Sequence, residues 1–200
     1  MNPGLDSDVK KLFWDSINEV ESPLKITRLK EEHGLRLLQQ FEMFNSYNGV
    51  FVHEVVEFSN SRDFFTMMVL NMDLTIIKGN RARIETKEVE EHEPVLLLNL
   101  PDMGTVFIKE ETVTDKIFDL FLKADIDFKE YPVFSKNYYV VADNPELVRT
   151  RFPTPLLEVL NVVKDFNMEV HGTLGLLRPR KKISRDIIHK LMHIGYRVIS

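Results

Sequence analysis

Between residues 24 and 109 the chain passes through one β-forming segment after another with no helical crossover between them. This constrains the fold most. Parallel neighbours need a crossover of a dozen or more residues, whereas strands that follow one another directly pair antiparallel. The segments are residues 24–30, 35–44, 50–58, 64–74, 76–84, 95–100 and 105–109, rich in β-branched and aromatic side chains or alternating in polarity. Asn48-Gly49 lies between two of them, and this dipeptide takes positive φ readily enough to predict a hairpin. Gly79-Asn80 predicts a second reversal, and Pro101-Asp102-Met103-Gly104 a turn.

Helices are expected on either side of this block. Asp6 or Ser7 caps a first helix whose Val9, Leu12, Phe13, Ile17 and Val20 recur at helical spacing, with Trp14 beside the stripe, and Ser22-Pro23 stops it. The second half alternates elements. Thr114 is placed to cap a helix carrying Ile117, Phe118, Phe121 and Leu122. A strand follows at 138–142, with Phe134, Tyr138 and Val140 expected on one face. Asn144-Pro145 and Thr154-Pro155 each open a helix, because Pro is tolerated at the first helical position. Residues 168–177 form a strand or hairpin around Gly172 and Gly175, and Ser184 caps a last helix that Gly195 is expected to end. The fold class is therefore α+β: an N-terminal helix, a largely antiparallel strand-rich first half, and a mixed second half ending in a helix. No Gly/Ser/Pro-rich linker interrupts it, so residues 1–200 form one domain; the alternative is a strand-rich sub-region 1–112 and a mixed sub-region 113–200.

One stretch resembles a known family. Ile117-Phe118-Asp119-Leu120-Phe121, Asp125-Ile126-Asp127-Phe128, Pro132-Val133-Phe134-Ser135, Tyr138-Tyr139-Val140-Val141, Asp143-Asn144-Pro145-Glu146 and Phe152-Pro153-Thr154-Pro155-Leu156-Leu157 occur in that order. Over residues 115–184 this resembles a bacterial domain of unknown function, found in small cytosolic proteins and as the soluble end of proteins with two N-terminal membrane helices. The resemblance implies the cytosolic type, or a soluble protein handling a similar partner, and brings no activity and no functional residues with it.

The charge pattern narrows the partners. The net charge is −5, with 26 basic and 31 acidic residues, which argues against bulk nucleic-acid binding. No apolar stretch is long enough to cross a bilayer. The absence of cysteine removes thiolate and iron–sulfur chemistry and fits a reducing, cytoplasmic setting. Arg178, Arg180, Lys181, Lys182 and Arg185 form the one basic cluster, ending at Ser184 where a helix start offers free N–H groups; an anion is the expected ligand, weighed against a solvated loop. His189 and His193 share a helical face at metal-binding spacing, but Lys190 stands where a zincin has Glu, so no metal is assigned. Glu85, Glu88, Glu90, Glu91, His92 and Glu93 read as a solvated edge strand and loop, without the Gly-containing spacing of a calcium loop. There is no nucleophile elbow, phosphate loop or dinucleotide fingerprint, and no cofactor is implied.

The expected function is a non-catalytic binding module for a protein or an anionic surface. The alternatives are an enzyme whose acid and base meet only in the fold, and a self-assembling structural protein that uses its strand edges.

Overall fold

The computed structural model describes residues 5–80, 83–110 and 126–199, without the side chains of 76–80 and 83–88. It is α+β, as the succession of strands requires. Helix α1 (Ser7–Asn18) leads into strand β1 (Lys25–Leu29), helix α2 (Glu31–Leu38) and a 3-10 turn (Glu42–Phe44). A meander follows: β2 (Gly49–Ser59), β3 (Phe64–Asn80) and β4 (Arg83–Asn99). After β5 (Thr105–Glu110) come α3 (Pro132–Asn137), β6 (Tyr138–Ala142), α4 (Pro145–Arg151), α5 (Thr154–Leu160), β7 (Phe166–His171), β8 (Leu174–Pro179) and α6 (Arg185–Ile199). Among the described residues eight strands make one sheet in the order β1-β2-β3-β4-β8-β7-β5-β6, and every pairing between them is antiparallel.

Each face of the sheet buries its own core. On one, Phe13 and Ile17 of α1 and Ile187, Ile188 and Leu191 of α6 pack against Val56, Phe58, Phe65, Met67, Leu96 and Leu98. On the other, Leu38 of α2 with Phe41 and Phe44 covers Val52, Val55, Met68, Leu70, Val95 and Leu97. Alternation along β3 and β4 divides the residues between the faces. In β2 the alternation is broken by a bulge between Val52 and Val55, which places His53 and Glu54 together opposite Val69.

Helix starts and the hairpin glycine follow the sequence. The Asp6 carboxylate accepts from Asp8 N–H at 2.8 Å, Asn144 Oδ1 from Leu147 N–H at 3.1 Å, and Ser184 Oγ from Ile187 N–H at 3.3 Å. Gly172 turns between β7 and β8 with φ +59°.

Several expectations are corrected. Residues 35–44, expected as a strand, are the end of α2 and the 3-10 turn. Glu31 and Glu32 favour the helix start, and Gly34 lets α2 sit close on the sheet: a Cβ there would lie 2.6 Å from Met68 Sδ and 2.8 Å from Val52 Cγ1. Asn48-Gly49 is thus not a hairpin; Asn48 N–H donates to the Asp73 carbonyl and leads into β2. Phe134 lies in α3, not on the strand with Tyr138. Thr154 is not a side-chain cap; Pro153 precedes α5 with no capping bond. Gly195 does not end α6, which continues to Ile199, because the missing Cβ makes room for the Phe65 ring. The reversal expected at Gly79-Asn80 falls between β3, which reaches Asn80, and β4, which starts at Arg83. The helix expected after Thr114 lies outside the described residues.

Candidate functional site

β1 is an edge strand. It pairs with β2 from Lys25↔Ser59 to Leu29↔Val55, and among the described residues it has no second strand neighbour. At the opposite flank of the sheet, Ile126 N–H donates to the Val140 carbonyl of β6 at 2.9 Å. β1 therefore offers main-chain donors and acceptors that an added strand can use. Ile26 on it is 39% exposed, large for an apolar side chain on a short edge.

The edge is held by a buried carboxylate. Glu54, 3% exposed, accepts from Trp14 Nε1 at 2.9 Å and from Arg28 at 2.9–3.0 Å, and pairs with Lys10 Nζ at 2.9 Å. Arg28 also lies over the Trp14 ring at 5.5 Å. One residue of the β2 bulge thus ties α1, β1 and β2 together. Arg28 belongs to this network, while Lys25 and Lys30 are exposed beside it.

The basic cluster does not gather around one point. Arg178 donates to both oxygens of Glu93 at 2.5 and 3.0 Å and to Tyr47 Oη, with its guanidinium over the Phe44 and Tyr47 rings. Burial opposes its charge, but hydrogen bonds and attraction to Glu93, joined by Tyr47, outweigh that and raise its pKa further. Arg180 is held by Glu110, Lys181 by Asp165, and Arg185 by Glu19 at 3.0 Å. Lys182 is exposed. Four of the five cations thus have four different carboxylate partners, and Ser184 gives its oxygen to the start of α6. Sequence spacing shows cations adjacent along the chain; it does not show the carboxylates that the fold brings to them from 19, 93, 110 and 165.

His189 and His193 lie on α6 but do different things. His189 Nε2 is 3.0 Å from the Ser16 carbonyl near the end of α1 and 3.7 Å from Glu19. His193 is exposed. Among the described residues no group of three or more His, Asp or Glu is gathered for a metal ion.

Two polar groups were not visible in the sequence. Glu169 is fully buried on β7; its carboxylate accepts from Glu42 N–H and Met43 N–H at 2.7 and 2.8 Å and meets His171 Nε2 at 2.6 Å. It anchors the start of the 3-10 turn to a strand more than a hundred residues away. The second group surrounds a shallow depression of about 440 Å³ lined by Asn48, Asp73, Leu74, Val89 and Glu90. Asn71 beside it donates to Glu90, and His92 Nε2 is 3.8 Å from the same carboxylate. Neither arrangement places a nucleophile against a base. The anchoring of Glu169 depends on a contact far along the chain, which no spacing rule reveals. No family model, curated protein or solved structure matches the chain.

Proposed function

We propose that the chain is a non-catalytic interaction module that binds an extended segment of a protein partner along β1. The observation that carries this reading is the free edge of β1, an open strand with an exposed Ile26 and a rigid backing through Glu54. A strand added there gains main-chain hydrogen bonds without chemistry or a deep pocket. The pairing of Arg178, Arg180, Lys181 and Arg185 with carboxylates of this chain supports a protein partner over an anionic surface.

The test is direct. A random peptide library is selected against the protein, and amide hydrogen exchange is followed on the enriched peptides. New protection is expected at residues 25–29. A selection that yields no binder, or peptides that protect other segments and leave β1 exchanging as before, would overturn the reading.

A further inference from the structure

The sheet has a second open edge. β8 pairs only with Leu96–Asn99 of β4, so the outer part of β4 is bonded to β3 alone among the described residues. Pro94 marks the boundary, since it has no N–H to give a neighbouring strand. The two open edges lie at opposite flanks of the β1–β4 meander.

Their charges are opposite. Residues 22–30 contain Lys25, Arg28 and Lys30 and no acid, whereas residues 85–92 contain Glu85, Glu88, Glu90 and Glu91 against Lys87 alone. Their directions are compatible too. Three successive antiparallel pairings separate β1 from β4, so β4 runs opposite to β1, and a β1 strand laid beside the outer β4 continues the antiparallel alternation.

We infer that the partner of β1 is a second copy of this chain, whose outer β4 edge, residues 85–92, receives it. This rests on the reading of β1 as the docking edge. A two-fold pairing of β1 with β1 would bring together two strands that carry Lys25 and Arg28 and no acid, and like charges close together across a sheet destabilise it. Pairing β1 with β4 brings a basic segment beside an acidic one. The contact is heterologous: each copy keeps one free edge of each kind, and assembly grows head to tail into a ring or a filament.

The competing explanation for lysines on an edge strand is that they prevent association, which demands a monomer. Sedimentation velocity over a concentration series at low salt separates the two. The wild-type protein is expected to form species of increasing mass. These should dissociate toward about 1 M salt, where the Debye length falls to about 3 Å. The double variants Lys25→Glu/Lys30→Glu and Glu85→Lys/Glu88→Lys are each expected to be monomeric with an unchanged circular dichroism spectrum. Mixing them restores opposite charges at both edges and should restore assembly.

A monomeric wild type, assembly that strengthens with salt, or assembly that survives both reversals would overturn the inference. A monomeric wild type whose β1 is still protected by selected peptides removes the second copy as partner and leaves β1 as the docking edge. A monomer without such protection removes both.

Discussion

At the scale of single residues, glycines with no room for a methyl group hold the layers together. A Cβ on Gly195 would lie 2.7 Å from the Phe65 ring, which is stacked on Phe58 at 4.7 Å and met edge-on by Tyr196 at 5.6 Å. Inside a helix, Gly→Ala ordinarily stabilises by up to about 1 kcal/mol. Here the methyl must displace a ring that is fully buried, and overpacking of this kind costs about 1–3 kcal/mol. Gly195→Ala is therefore expected to lower stability by about 1–2 kcal/mol, read from the urea midpoint at unchanged slope. A stabilised variant would show that α6 is free to shift on the sheet. The same residue shows a limit of sequence reading: a glycine late in a helical pattern is commonly its end, and only the ring on the neighbouring strand tells the two cases apart. Asp6, Asn144 and Ser184 were legible because capping is local, while the partners of Arg178 and Glu169 were not, because they come from distant strands.

At the scale of elements, β8 is joined to the outer part of the meander by one buried ion pair. Arg178 and Glu93 have side chains only 16% and 13% exposed, with bidentate geometry and Tyr47 and Phe44 packed around the guanidinium. Removing one partner leaves the other charge buried, at a cost of about 3–5 kcal/mol, whereas replacing both with apolar residues is often close to neutral. Arg178→Met and Glu93→Leu are thus each expected to destabilise strongly, and the double variant to recover more than half of the summed loss in a double-mutant cycle of thermal unfolding. Additive losses would mean that the pair is solvated in solution. Element types were largely readable where the period was sustained, as in α1, β2 and α6. They failed at 35–44, where a short apolar run with Leu35, Leu37, Leu38 and Phe41 fits either period and packing decides for the helix.

At the scale of the whole molecule, stability is expected to respond to pH through His53. The residue is 7% exposed in the bulge, and burial lowers its pKa below the ordinary value of about 6.5, with His92 pushing the same way and Glu31, Glu54 and Glu90 opposing. Below about 6.5 the unfolded chain takes up the proton while the folded chain still resists it. The contribution is therefore complete above that pH and is lost as pH falls from there through the lowered folded value. Its slope is at most about 1.4 kcal/mol per pH unit for one proton. Urea unfolding of the wild type and His53→Gln between about pH 5 and 8 should show a steeper acid-side fall in the wild type. Parallel curves would exclude His53 as the cause.

The sheet order also sets a clock. β4 waits for β8, and Leu96 pairs with Leu177, about 80 residues later in the chain. At ribosomal speeds of about 5–20 residues per second, the meander stands for on the order of ten seconds before the segment that completes its inner edge has been made. Throughout that interval Leu96 and Leu98 lack the cover of α6, which is synthesised later still. Neighbouring ribosomes on one message would hold such half-sheets side by side, so the growing protein meets its own copies while a third edge, later sealed by β8, is still open to them.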